Sequence, residues 1–270
     1  MGKVKVKKKS TFIDMTAMSD VTVLLLTFFM LTSTFLQKEP TIVYTPSSVS
    51  EEKVPVNNLV TVLISSADKA PKEGEDPLAT EGKIFISFTG GVDSTQAAPY
   101  IRRKVLDKAI EVYNEQHPKD KIALNEAQKK VFAETNMLGT SFKHLPELLS
   151  MSMGEIDKEQ GDLRNPNTGI PINDNKSKET NFNDFQVWCR AIYLTAQDIR
   201  KDEIEAQGLS ADDAKALQDL LTAITKEGKG IAIKADKDTP FATVNQVFDN
   251  LQTMSLNKFS LMTALTSEDE

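Results

Sequence analysis

Cysteine is nearly missing from this chain: its 270 residues include one cysteine, two histidines and one tryptophan. A lone cysteine closes no intramolecular disulfide, so whatever folds outside a reducing compartment is held by packing alone. Cys189 sits in Phe185-Gln186-Val187-Trp188-Cys189-Arg190-Ala191-Ile192-Tyr193, which reads as a buried helix face, and core cysteine is the better reading than nucleophile. His117 and His144 stand apart from any Cys, His or acid at metal-ligand spacing, and both read as residues of helix ends or loops. Gly90-Gly91 has neither the spacing nor the following lysine of a phosphate loop, and reads as a turn. Asp212, Asp213, Asp236 and Asp238 read as helix caps and solvated faces. No catalytic constellation, cofactor site or metal site emerges, and the chain reads as something other than an enzyme.

An excess of positive charge is missing as well. The formal net charge is −7, and the first ten residues are strongly basic, so the rest is more acidic than the total. That balance argues against nucleic acid as a partner.

Long hydrophobic runs are limited to one, Ala17 to Leu36, and it holds a carboxylate, Asp20. At about 1.5 Å per residue, 20 residues cover a hydrocarbon core of about 30 Å. Lys3, Lys5, Lys7, Lys8 and Lys9 precede the run and Gln37-Lys38-Glu39-Pro40 follows it, so the positive-inside rule places the N-terminus in the cytoplasm and the bulk of the chain outside. A cleaved signal peptide is the alternative, but no Ala-x-Ala-like site follows the run, which continues through Thr32-Ser33-Thr34-Phe35-Leu36.

A charge at the bilayer centre costs roughly 2.5–3.5 kcal/mol on insertion scales, and such residues usually face a protein interior or a water path. Asp20 is therefore the leading functional candidate. Thr16, Thr27 and Thr34 fall on its helical face, with Leu24 and Leu31 filling the stripe, and hydroxyls beside a carboxyl suit a group that gains and loses a proton. The competing reading is an Asp at the start of the helix, acting as an N-cap or at the interface. A start near Ala17 favours it, and a start near Phe12 places Asp20 more than one turn inside.

Residues 37–56, rich in Pro, Ser, Thr and Glu, read as an extended linker. Leu59 to Ser65 and Lys83 to Phe88 read as strands. Tyr100 to Tyr113, Asn125 to Leu138 and Asn183 to about Gln207 have helical spacing, interrupted by a predicted loop from Gly154 to Lys178. Ser210-Ala211-Asp212-Asp213 opens a further helix. Gly230 to Ala235 reads as a strand; Asp238-Thr239-Pro240 caps a helix striped by Val244, Val247, Phe248 and Leu251; Asn257 to Thr263 reads as the last strand. The early and late strands are expected to share one sheet, with the helical residues packed at one side, since long insertions cost little when their ends are close.

The segment from Phe12 to Thr32, FIDMTAMSDVTVLLLTFFMLT, resembles the anchor of the ExbD/TolR biopolymer-transport family, most closely its forms from Bacteroidota. The family's membrane aspartate falls on Asp20 and its preceding Thr-Pro on Thr16-Ala17, so the proline is missing here. Ile231 to Leu261 is similar to the last strand, helix and strand of the family's periplasmic domain. The resemblance implies a single N-terminal transmembrane helix plus a periplasmic α+β domain, a small sheet with helices packed on it, carrying a large helical insertion. The segments are 1–11 basic tail, 12–36 membrane helix, 37–56 linker, 57–106 first part of the α/β domain, 107–218 insertion, 219–264 its C-terminal part and 265–270 acidic tail.

It further implies a dimeric, single-pass subunit of a motor in the bacterial inner membrane. Its partners would be an ExbB-like polytopic protein, a second copy of itself or an ExbD paralogue, and a TonB-like protein. Protons, carried by Asp20, would be the coupling ion, with no cofactor, and the motor would energise TonB-dependent outer-membrane transport. A TolR-like role in envelope maintenance uses the same anchor. A different class of reading is a membrane-anchored scaffold or envelope-binding protein without proton carriage.

Overall fold

The computed structural model describes residues 15–32, 39–48, 60–66, 82–88, 97–174, 180–227 and 230–265. The chain divides into two compact units, Met1–Lys38 and Glu39–Glu270.

The first unit contains helix α1 (Met15–Thr32), about 27 Å long at 1.5 Å per residue. Among the described residues no helix is long and apolar enough to cross a membrane; the predicted span of 12–36 runs past both ends of α1 into residues outside them. Asp14, Thr34, the Gly90-Gly91 turn and the linker beyond Ser48 also lie outside the described residues.

The second unit opens with β1 (Ser47–Ser48), β2 (Val60–Ile64) and β3 (Ile84–Phe88), followed by helices α2 (Ala97–Gln116) and α3 (Glu126–Glu134). Strand β4 (Met137–Leu138) leads to α4 (Leu145–Leu148), α5 (Met153–Gly161), α6 (Asp184–Asp198), α7 (Lys201–Glu205) and α8 (Ala211–Glu227). The chain closes with β5 (Ile231–Ala235), α9 (Phe241–Thr253), β6 (Phe259–Met262) and β7 (Ala264–Leu265).

Five strands form one sheet in the order β4-β3-β2-β5-β6, so early and late strands share it as expected. β2 pairs antiparallel with β3, Val60 opposite Phe88, and parallel with β5, Val60 opposite Ile231. Successive side chains of a strand point to opposite faces. Val60, Val62 and Ile64 of β2 and Ile84, Ile86 and Phe88 of β3 face the helices, while Leu63 and Phe85 meet Val43 and Met137 in a second cluster. Burial on both faces explains why these segments read as nearly continuous apolar runs rather than alternating ones.

The helical section shares the main cluster with the sheet. Its centre is a chain of rings: Trp188 of α6 lies 5.8 Å from Phe132, 5.0 Å from Phe142 and 5.9 Å from Phe88, and Tyr113 stacks on Phe142 at 4.8 Å. The β5-α9-β6 unit forms as read from sequence, with Val247 and Leu251 buried and Phe248 stacked on Phe259 at 4.9 Å.

Several local readings change. The predicted helix Asn125 to Leu138 ends at Glu134, and its last residues become β4, which extends the sheet at β3. Gly139, just beyond, lies flat on the Phe85 ring, where an added Cβ would clash. The predicted loop Gly154 to Lys178 contains most of α5, started by a capping box of Ser152 and Glu155. The helix predicted from Asn183 to Gln207 breaks at Ile199 and Arg200, both extended, and Ile199 and Ile204 are buried. Pro240 is itself the N-cap of α9, and the Thr239 hydroxyl instead donates to Ser65 O at 3.0 Å. Part of the predicted linker is docked: Val43 is buried, and the Tyr44 N–H donates to Asp236.

Arg102 of α2 locks helices to sheet. It is 4 % exposed, and its guanidinium donates to Phe88 O (2.8 Å), Ala133 O (3.0 Å) and Asn136 Oδ1 (3.3 Å). Burial lowers its pKa from the ordinary guanidinium value. The buried cation is costly, but deleting it is costlier, because a buried acceptor left without a donor loses about 1–3 kcal/mol. Arg102→Ala, which orphans two carbonyls, is expected to destabilise by about 3 kcal/mol. Arg102→Met, which keeps the packed stem and removes the charge, is expected to cost less. Urea unfolding followed by the fluorescence of Trp188, the single tryptophan, measures both; equal stability of wild type and Arg102→Ala would reject the lock.

Candidate functional site

α1 carries large apolar side chains on all sides, with Ser19, Asp20, Thr22 and Thr27 set among them. Val21, Val23, Leu24, Leu25, Leu26, Phe28, Phe29 and Met30 are each more than half exposed, as in a helix that needs a non-aqueous or protein environment on every side. Asp20 is the one ionisable residue between Met15 and Thr32, and its side chain is exposed. It is the sixth residue of α1. The unpaired N–H groups belong to the first turn, so Asp20 is too far in to be an N-cap, and the capping reading fails on position.

At about 3.6 residues per turn, Thr27 lies on the same face of α1 as Asp20; the side chain of Thr16 lies outside the described residues. The Thr27 hydroxyl donates to Leu24 O at 2.9 Å, and Thr22 donates to Met18 O at 2.7 Å. Both hydroxyl protons are thus satisfied within the helix, which lowers the cost of carrying them in an apolar medium. Each oxygen keeps its acceptor capacity. On this face the Asp20 carboxyl and the Thr27 oxygen lie about two turns apart, while Thr22 lies on the other side of the helix.

The other singled-out residues are structural in their contacts. His117 ends α2 and stacks on Tyr113 at 4.2 Å. His144 precedes α4 with Nδ1 3.1 Å from Glu147 and Nε2 2.6 Å from Glu159, a pairing across α4 and α5 that sequence spacing did not reveal. Among the described residues no group of His, Cys, Asp or Glu could hold a metal ion. Asp213 caps α8 with Ser210 as read. Asp236, read as a solvated cap, is only 5 % exposed and accepts from Tyr44 N (2.7 Å) and Asp238 N (3.0 Å). The cleft of about 380 Å³ between α2, α6 and α7 is lined by Lys104, Asp107, Lys108 and Glu203, whose charges pair with one another or with neighbours.

Residues 7–135 match the family model described as Biopolymer transport protein ExbD/TolR. The match covers just under half of the chain, spanning α1, β2, β3, α2 and α3, and ends before β4. It contains Asp20 and the whole polar stripe. No curated protein and no solved structure matches the chain. The similarity to ExbD/TolR proteins therefore rests on the N-terminal part, and β5-α9-β6 lies outside it.

Cys189 is 2 % exposed, and burial pushes its thiol pKa far above the ordinary value. The thiolate is the reactive form. The native chain is accordingly expected to resist alkylation at pH 8 and to react fully in urea, as read by mass spectrometry; rapid native labelling would contradict the burial of α6.

Proposed function

We propose that this chain is an ExbD-like subunit of a proton-driven motor in a bacterial inner membrane. The observation that carries the reading is Asp20, the sole ionisable side chain of a helix with large apolar side chains on every side, more than one turn from its start. The match of residues 7–135 to ExbD/TolR proteins supports the same assignment. In this reading the N-terminal lysines stay in the cytoplasm, a span of residues 12–36 built on α1 crosses the membrane, and Glu39–Glu270 lies in the periplasm.

The work follows from electrostatics. A carboxylate is costly in hydrocarbon and its protonated form much less so. Protonation from one side and release to the other lets the helix alternate between two arrangements against a polytopic, ExbB-like partner, with a second copy or a paralogue beside it. Each passage moves the periplasmic part, and a TonB-like protein takes that motion to outer-membrane transporters. A TolR-like assignment keeps the membrane chemistry and changes the recipient of the motion.

Asp20→Asn keeps shape and hydrogen-bonding capacity but removes proton exchange. The variant is expected to assemble with the polytopic partner yet reduce energised uptake to the level of a strain lacking the chain. Asp14→Asn, six residues earlier in the sequence, is expected to be milder. Growth that depends on energised uptake, at matched expression and partner co-purification, is the readout. An Asp20→Asn strain growing like wild type would reject proton carriage.

Topology is checked separately. A reporter active only outside the cytoplasm, fused after Glu270, is expected to be active, and the chain to stay with membranes through carbonate washing. A soluble product lacking residues 1–36 would instead support a cleaved signal.

A further inference from the structure

His144 stands between two carboxylates. Its Nδ1 lies 3.1 Å from Glu147 Oε2, and its Nε2 lies 2.6 Å from Glu159 Oε1. The ring is largely enclosed, with 10 % of the side chain exposed; Glu159 is 16 % exposed and Glu147 72 %. An ionised carboxylate only accepts hydrogen bonds, and a neutral imidazole carries one N–H where an imidazolium carries two. With both glutamates ionised, the two contacts are hydrogen bonds at once only when the ring holds two protons. With one proton, a ring nitrogen turns its lone pair toward a carboxylate oxygen, and that contact becomes repulsive.

The two glutamates belong to different elements, Glu147 to α4 and Glu159 to α5. α5 is in turn fastened to the edge of the sheet. Its buried Gln160 accepts through Oε1 from the Gly139 N–H at 2.8 Å, one residue beyond β4, and Glu159 O accepts from the Thr168 hydroxyl at 2.9 Å. Ile156 of α5 is fully buried in the main cluster. The other charges around this corner are few in kind. Lys143 precedes the ring in the chain, and Glu155, Lys158 and Asp162 line one cleft with Glu159. On the α6 side, Asp184 accepts from the Phe142 N–H at 2.8 Å; burial pushes its carboxyl up, against the pull of that bond and of His117 and Lys143.

We propose that His144 is a proton-operated clamp at the corner of α4 and α5, which as an imidazolium ties Glu147 and Glu159 together and on losing one proton lets the corner loosen. The added hold is present on the acid side, where the ring is doubly protonated and the glutamates are ionised. It is lost as pH rises through the range in which imidazoles give up their charge, between about pH 5 and 8. Charge-assisted hydrogen bonds are roughly twice as strong as neutral ones, so a neutral ring that keeps Glu159 keeps it more weakly, and the exposed Glu147 turns to water. The change reaches the sheet edge through Gln160 and Gly139. In a proton-driven motor whose folded unit faces the side from which protons enter, this corner follows the proton supply. That use rests on the motor reading, whereas the clamp is a property of Glu39–Glu270 by itself.

A double-mutant cycle on the full chain in detergent tests the clamp. Wild type, His144→Ala, Glu159→Ala and the double variant are unfolded in urea at about pH 5.5 and about pH 8.5, followed by Trp188 fluorescence. The coupling of His144 to Glu159 is expected to be about tenfold or more in the unfolding equilibrium constant at the acid pH and about threefold or less at the alkaline one. Equal coupling at both pH values, or none at the acid one, would overturn the clamp. Where a variant does not fold, wild type alone decides. The protection of the Gly139 amide against hydrogen exchange, relative to that of Val62 in the same sample, is expected to fall about fivefold or more between the two pH values. An unchanged ratio sinks the proposal. Neither readout involves Asp20, so failure of the motor reading, seen as wild-type growth of Asp20→Asn, leaves the clamp standing, and a coupling that ignores pH leaves the motor standing.

Discussion

The parallel pairing of β2 with β5 is the constraint on which the rest of the unit Glu39–Glu270 depends. It joins Val60 to Ile231 and Ile64 to Ala235, so the section after β3, which adds β4 to the sheet's edge on its way, has to return beside β2. Parallel neighbours require a crossover, ordinarily one helix; here its described residues hold helices α2 to α8 together with β3 and β4. The closure entropy of so long a connection grows only logarithmically with length, and the burial gained inside it more than offsets that growth. The aromatic chain through Trp188 and the guanidinium of Arg102 fasten the crossover to Phe88, at the end of β3. The helices are thereby part of the same core as the sheet.

The two units solve opposite solvation problems. α1 exposes large apolar side chains on every side and holds one carboxyl, whereas Glu39–Glu270 buries an extended apolar core and shows water paired charges such as Lys108 with Asp198 and Lys129 with Asp107.

The sheet's second face holds residues 39–48 by contacts from the turn after β5. Asp236 is central there, since one carboxylate orders both the backbone of Tyr44 and the turn into α9. An acid that looks like an ordinary cap in sequence therefore connects the first residues of the unit to its last crossover.

Much of this was legible in the sequence wherever the cause is local. The apolar run around Asp20, the Ser210 cap of α8, the strand-helix-strand pattern from Ile231 to Met262 and the burial of Cys189 each follow from neighbours within a turn or two. The Ser152 and Glu155 capping box was equally local and would have found α5, but the Gly, Asn and Pro residues after it outweighed it in a loop reading. Other features have partners far along the chain. β4 is a strand because Met137 and Leu138 meet β3, α6 ends because Ile199 turns into the core, and Arg102 is satisfied by carbonyls on two other elements. The docking of Val43 likewise depends on Leu63 and Phe85 arriving on one face of a sheet. By itself the sequence determined the β2, β3, β5, α9 and β6 segments, the start of α8 and the place of the lone carboxyl of α1, because those depend on periodicity and caps. Only the tertiary structure decided which buried polar groups find partners and which exposed segment is tied down, because those depend on distances between residues that the linear order does not contain.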